Sequence, residues 1–377
     1  MAINIVADEA IPYVWESFSS IGDVVKLPGG NIDRRAIKDA DGLVIRSITK
    51  VSPALLENSK VQFVGTATIG TDHIDLNYLE ENKIKFASAP GCSAITVAEF
   101  VLNCLYRLSV VKNLILPESV LGIVGAGNIG LALKERAEQL GIQCLLNDPP
   151  LQDLHPDMSL VALDELVERS DIISLHVPFI RDGKFPTFHL IDQSILKLAR
   201  PRSIWINTSR GGVIDESALL EYQQQIGGLI LDVWENEPGI NREVLKIADI
   251  ATPHIAGYSI EGKIRATQMV YEAACRYFDV PVVWQTKNAL EGIEGIKIQL
   301  GDIKNPVRDA IYNTYDVRID DDALRSGFKA EDPAKHFSFL RNTYNYRREF
   351  SACEIINSSE IPEIPRIMMS KLGFALP

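Results

Sequence analysis

Short apolar runs alternate with amphipathic stretches over the first 90 residues. INIVAD (3–8), DVVKLP (23–28), DGLVIRS (41–47), VQFVGTAT (61–68) and IKFASAP (84–90) predict strands, and segments such as PALLENS (53–59) predict helices between them. Such alternation predicts βαβ units and a parallel sheet. Ligand contacts in these sheets gather in loops at the C-terminal strand ends, and here those loops hold Arg46, Ser47 and Thr68. Val97, Val101, Cys104, Leu105, Leu108 and Val111 then recur at helical spacing, with Ser93 or Thr96 placed to cap the helix. A second βα series follows. It runs from a strand at 120–125, a helix at 129–141 ended by Gly141 and a strand at 142–148 to a last helix over about 260–278. From residue 286 the alternation weakens, and a Pro-punctuated stretch (IPEIPR, 361–366) closes the chain, which predicts a small α+β domain.

Composition changes this picture little, and charge changes it more. The 377 residues suit two or three domains. The net charge of −12 repels phosphate backbones, so nucleic acid is not an expected partner. A small anionic substrate would need a locally basic pocket. The start, MAINIVADEA, lacks the basic region of a secretory leader. The apolar stretch Val120–Leu133 is too short to span a bilayer and contains Asn128, so no membrane attachment is expected. The five cysteines never form a C-x-x-C pair, which suits reduced thiols in a cytoplasm. The six histidines are scattered without metal-ligand spacing, and no metal is expected.

The most specific motif is Gly125-Ala126-Gly127-Asn128-Ile129-Gly130, a G-x-G-x-x-G between a predicted strand and a predicted helix. The first glycine allows the tight turn, the second lets backbone approach a pyrophosphate, and the third lets helix and strand pack closely. Asp148 ends the next strand, where a carboxylate accepts from ribose hydroxyls and repels a 2′-phosphate. No Arg follows it, so NAD is expected rather than NADP. The competing explanation is a Gly-rich turn beside a surface Asp.

Three strand-to-loop segments carry the candidate chemistry: Arg210 in NTSRGGVID, Glu237 in LDVWENEP and His254 in ATPHIAGYS. Oxidising a hydroxy acid needs a base for the hydroxyl proton, and histidine titrates in the right range. A neighbouring carboxylate stabilises its imidazolium. An arginine binds a carboxylate through its planar fork and polarises a developing carbonyl. Taken singly, each residue is more often a solvated loop charge or a loop hydrogen-bonder. The case rests on finding all three downstream of a dinucleotide fingerprint.

Together, GxGxxG, Asp148, NTSRGG, DVWENEP and TPHIAGY resemble the D-isomer-specific 2-hydroxyacid dehydrogenases over roughly residues 1–285. The resemblance implies that Arg210, Glu237 and His254 are the catalytic set. It implies an α/β fold, with a Rossmann NAD-binding domain (96–257) inserted in a flavodoxin-like βα substrate domain (1–95 with 258–285). Thr208, Ser209, Arg210, Asp232 and Gly257 would line the NAD site beside Asp148. One position departs from the pattern: Val177 stands where the family can place a cofactor-bonding Thr.

The segments around Ile45–Lys50, 63–75 and 89–101, with the C-terminal TYDVRIDDDALR and KLGF, narrow the resemblance to members that oxidise 4-phospho-D-erythronate on the route to pyridoxal phosphate. These carry a C-terminal dimerisation domain, here 286–377, which implies a homodimer. Ser47, Thr68 and Tyr258 would contact substrate. Arg46, Ser47 and Lys50 cluster in one strand-end loop and suit a substrate phosphate, although a solvated basic loop looks the same in sequence. Oxidation of 3-phosphoglycerate or another 2-hydroxy acid is the nearest alternative. A non-catalytic NAD-sensing corepressor is the alternative from another class. Among the histidines, His73 reads as a helix start with Asp72 as its cap and His176 as structural, while His155, His189 and His336 have no nameable partner.

Overall fold

In a computed structural model of the chain, residues 3–328 and 332–377 are described, so Met1 and Ala2 of the N-terminal stretch read above lie outside it. The chain divides into two compact units, Met1–Ser93 with Ser259–Glu294, and Ala94–Tyr258 with Gly295–Pro377.

The first unit holds β1 (Asn4–Asp8), β2 (Asp23–Leu27), β3 (Gly42–Ile45), β4 (Phe63–Thr66) and β5 (Lys85–Ala87) in the order β2-β1-β3-β4-β5. All pairings are parallel, with Ile5 opposite both Val24 and Gly42. The inner strands β3 and β4 are buried at every position, as expected of a parallel sheet covered on both faces, while the edge strand β2 is largely exposed. The Ile260–Phe278 helix packs on this sheet and is capped by Ser259, whose hydroxyl accepts from Gly262 N–H. Its approach needs Gly65, because a Cβ there would lie 2.3 Å from Val270. Phe18, Phe63, Val270 and Tyr271 form the centre of this core.

The second unit holds β6 (Val120–Val124), β7 (Gln143–Asn147), β8 (Ile172–Leu175), β9 (Ile204–Asn207), β10 (Gly228–Leu231) and β11 (Ile250–Ala251), in the parallel order β11-β10-β9-β8-β6-β7. The chain leaves β6 to one side for β7 and to the other for β8. That reversal makes a switch point, where the strand ends splay and ligands bind. The segment beyond β7 adds no strand. Val161 N–H donates to Leu146 O and Asn147 Nδ2 to Val161 O, and the contact ends there.

The α/β expectation and the main strands hold. Two expected helices are single turns, Pro53–Leu56 and Gln193–Leu196. The apolar Ala94–Lys112 helix is long enough to cross a membrane, but 72% of its apolar window is buried inside the structure, as in a core helix.

From Gly295 onward, the segment expected as a C-terminal domain (286–377) lies in one compact unit with Ala94–Tyr258. Its short parallel pair, β12 (Ile296–Ile298) with β13 (Cys353–Ile355), and its Pro306–Thr314 and Glu363–Leu372 helices share one core with the Ala94–Lys112 helix. Ile311, Met369 and Phe374 join Phe100, Val101 and Leu105 in that core, and Asn103 Nδ2 donates to Ile311 O and Tyr315 O. Severing the segment would open this apolar surface to water.

Candidate active site

The dinucleotide fingerprint sits at the switch point. Gly125 has φ +97, and a Cβ on it would lie 2.5 Å from the carbonyl oxygen of His176 at the end of β8. A Cβ on Gly130 would lie 1.9 Å from Gly125 O, so only glycine lets the Asn128–Gln139 helix start so close to the strand. Gly127 is exposed, with nothing within 4 Å of its Cβ position. Two glycines are thus required by the protein's own packing, and the middle one leaves open room over a helix N-terminus, the cradle a pyrophosphate needs. Asp148 follows β7. Its Oδ2 accepts from Ala126 N–H at 2.9 Å and its Oδ1 from Leu151 N–H at 3.0 Å, which ties the carboxylate to the fingerprint loop. These residues fit NAD. Val177 packs beside Gly125 and offers no hydrogen bond from its side chain.

His176 is half-buried. Ser174 Oγ lies 2.9 Å from its Nε2 and Thr208 Oγ1 3.4 Å from its Nδ1, and burial pushes its pKa down to about 3. A neutral ring that braces Thr208 suits the structural role expected of it. Ser209 donates from both its N–H and its hydroxyl to Asn207 Oδ1, and Asn207 Nδ2 donates to Arg210 O. Asn207 therefore shapes the turn that presents Arg210.

The three candidate catalytic residues emerge from adjacent strand ends: Arg210 beyond β9, Glu237 beyond β10 and His254 beyond β11. Gly211 allows the first two loops to touch, since a Cβ there would lie 1.9 Å from Trp234 C and O. His254 Nδ1 is 2.8 Å from Glu237 Oε2, and Glu237 Oε1 accepts from Trp234 N–H at 2.9 Å. Burial alone would raise the Glu237 carboxyl. The charge and hydrogen bond of His254, the Trp234 N–H and the charge of Arg341 outweigh it and hold the group below the usual carboxylate range. Nδ1 is thus taken by a carboxylate, which leaves Nε2 as the nitrogen that can exchange a proton with a ligand.

His254 has a left-handed backbone, φ 58, which is costly for a residue with a Cβ. Two groups hold it there. Asp232 is 1% exposed, and its carboxylate accepts from Thr252 Oγ1 (2.6 Å), Ile255 N–H (2.8 Å) and Ala256 N–H (2.9 Å). Asp232 was expected to line the cofactor site, but these bonds use most of its acceptor capacity on the catalytic loop. On the other side, Arg347 donates to Ile255 O at 3.0 Å, to Thr96 O at 3.3 Å and to Ala256 O. Its guanidinium lies over Phe100 and Tyr315. Sequence reasoning missed Arg347, because no motif marks a residue whose partners lie 91, 92 and 251 positions away.

Tyr258 follows this loop, its ring set edge-on to Tyr344 and Tyr346 at 5.8 Å each. In the first unit, Thr68 Oγ1 donates to Gly70 O and lies 2.8 Å from Thr66 Oγ1, which in turn is 3.1 Å from His73 Nε2. Ser47 and Lys50 are exposed. Arg46 differs from expectation: its Nε donates to Asp8 Oδ2 at 2.8 Å and its Nη2 to Oδ1 at 3.4 Å, and that carboxylate is fully buried. A buried carboxylate holds the fork offered to a phosphate.

The helix after His73 is capped by Asp75, not Asp72, through Tyr78 N–H. His189 does have partners: Glu235 Oε1 at 2.8 Å and Asp215 Oδ2 at 4.0 Å. His336 Nε2 is 3.0 Å from Ala323 O.

A switch-point fingerprint, an acid at the end of the next strand tied to it and an Arg/Glu/His set at neighbouring strand ends define an NAD-dependent D-isomer-specific 2-hydroxyacid dehydrogenase. Comparison with known proteins agrees. The family profile described as "D-isomer specific 2-hydroxyacid dehydrogenase, NAD binding domain" matches residues 109–256, and a domain of unknown function, DUF3410, matches 294–373. The solved structure of NAD⁺-bound 3-phosphoglycerate dehydrogenase from Entamoeba histolytica is 26% identical, with TM-score 0.62, covering 74% of this chain and 96% of its own. The erythronate-4-phosphate dehydrogenase of Chromohalobacter salexigens is 43% identical over 358 residues, 94% of each chain. That of Cronobacter sakazakii is 40% identical over 378 residues, 99% of this chain and 98% of its own. The chain belongs to the erythronate-4-phosphate dehydrogenase family.

Proposed function

We propose that the protein oxidises 4-phospho-D-erythronate to 2-oxo-3-hydroxy-4-phosphobutanoate, a step toward pyridoxal 5′-phosphate. The observation that carries this reading is the His254–Glu237 pair at 2.8 Å, one strand end away from Arg210 and in the same unit as the NAD fingerprint. His254 Nε2 takes the proton of the C2 hydroxyl. Glu237 fixes the ring and stabilises the imidazolium that results. Arg210 binds the substrate carboxylate. NAD supplies the acceptor for the hydride that leaves C2. Thr208, Ser209 and Gly257 line the cofactor, and Ser47, Thr68 and Tyr258 contact substrate.

In this reading residues 1–95 with 258–285 bind substrate, 96–257 bind NAD, and the segment from 286 pairs two copies of the chain in a cytoplasmic homodimer. Full identity-spanning likeness to relatives named for this substrate favours it over 3-phosphoglycerate.

The test is NADH formation by the purified protein with 4-phospho-D-erythronate and, separately, 3-phosphoglycerate. Faster turnover of 3-phosphoglycerate overturns the substrate assignment. Tight NAD binding with no hydride transfer from any 2-hydroxy acid overturns the enzymatic one. His254→Ala should abolish turnover while leaving NAD affinity within about twofold, because the ring meets the reacting group and not the dinucleotide.

A further inference from the structure

The proposed substrate is anionic at both ends, with a carboxylate beside C2 and a phosphate on C4. Arg210 accounts for the first. Of the cations expected to meet the second, Arg46 is paired with the buried Asp8 and Lys50 is an exposed, flexible ammonium without a fork. Arg341 supplies one from an unexpected place, the Pro333–Asn342 helix. Its Nη2 lies 3.5 Å from Tyr258 Oη, the hydroxyl of the residue that follows the catalytic loop. Its Nε is shielded from water and has no acceptor. Among the described residues its fork meets a hydroxyl and no carboxylate, unlike Arg46, Arg107 or Arg325. Its positive charge reaches Glu237, which places it in the neighbourhood of the reacting groups.

The buried Nε is left without an acceptor and the guanidinium without a carboxylate, so an anion reaching the Nη side of the fork would balance its charge. A tyrosine hydroxyl beside a guanidinium fork gives convergent donors suited to the oxygens of a phosphate dianion. Tyr344 and Tyr346 pack edge-on against the Tyr258 ring and hold its hydroxyl toward Arg341. We infer that Arg341 and Tyr258 form the subsite for the substrate phosphate, so that the C-terminal segment sets the preference for a phosphorylated acid. This rests on the function proposed above.

The experiment compares kcat/KM for 4-phospho-D-erythronate and for unphosphorylated D-erythronate in wild type, Arg341→Gln and Arg341→Lys. In Arg341→Gln, kcat/KM for the phosphorylated acid should fall about a hundredfold, mostly through KM, while that for erythronate changes less than about threefold. Lys, which keeps the charge without the fork, should recover part of the loss and serves if the Gln variant does not fold. Equal losses on both acids, or no loss on either, overturn the inference. Inorganic phosphate binding to the NADH-loaded protein is the arm independent of turnover. It should weaken about tenfold or more in Arg341→Lys, and unchanged phosphate affinity also overturns the inference. If the wild type turns over neither acid, the proposed function fails, and the phosphate titration still decides whether Arg341 binds this anion.

Discussion

Nδ1 of His254 sits 2.8 Å from Oε2 of Glu237, while the other Glu237 oxygen accepts the Trp234 N–H. The carboxylate is thereby anchored at one end and orients the ring from the other. Glu237→Gln keeps the shape and removes the charge. We expect kcat to fall by about 10²–10⁴, the range of a general-base contribution. Steady-state kinetics on the two proteins check this, and a wild-type kcat in the variant would remove Glu237 from the positioning of His254.

Arg347 is a positioning residue. It donates to Ile255 O and Ala256 O, while Asp232 accepts the N–H groups of the same two residues. The peptides after His254 are held from both sides, and this supports the left-handed φ of 58 at His254. Arg347→Lys retains a cation that cannot span several carbonyls at once. We expect kcat to drop about tenfold, with KM little changed and a lower melting temperature. Thermal unfolding and steady-state kinetics read the two effects separately. A drop in melting temperature with wild-type kcat would confine Arg347 to the fold.

These two cases mark what the sequence disclosed. Arg210, Glu237, His254, the fingerprint and Asp148 were legible because each lies in a short segment at a predicted strand end, where topology alone gathers side chains. Parallel pairing in both sheets followed from the same alternation. Arg341 and Arg347 were not legible. They sit in a polar, aromatic stretch whose meaning comes from contacts with Tyr258, Ile255 and Ala256, far away in the chain. The Arg46–Asp8 pair was hidden similarly, since two strand ends must be adjacent before the charges meet. Apolar positions of the C-terminal segment pack on the Ala94–Lys112 helix, a partner no local pattern names.

Asp148 should set cofactor choice. Its carboxylate is fixed by Ala126 N–H and by the cap it gives Leu151 N–H, so it is oriented before any dinucleotide arrives. Asp148→Ala removes an acceptor for ribose hydroxyls and a charge that repels a 2′-phosphate. NAD should bind about ten- to a hundredfold more weakly, some 1.4 kcal/mol per factor of ten. NADP should lose less, or gain. Titration of both cofactors checks the ratio, and a parallel loss for the two would mean that the substitution acts only through the cap.

Glu216 links stability to pH. It is 7% exposed, and its Oε1 accepts from Glu235 N–H at 2.8 Å. Burial raises its pKa to about 7; the Glu235 N–H opposes this, and the charges of Glu235, Glu237 and Asp215 add to it. The folded chain therefore binds this proton more tightly than the unfolded chain, whose ordinary value is 4.5. The resulting stabilisation is complete below pH 4.5 and is lost as pH rises to about 7. His176 runs the other way. Its pKa falls from 6.5 to about 3 on folding, so stability is lost as pH drops through that window. Glu216→Gln leaves His176 untouched and keeps an acceptor for Glu235 N–H, so the difference between the two proteins isolates Glu216. The melting temperature of the variant should match the wild type near pH 4.5 and exceed it by a widening margin up to about 7, then level off. Melting curves across that range decide the matter, since a margin independent of pH would mean that Glu216 does not titrate there.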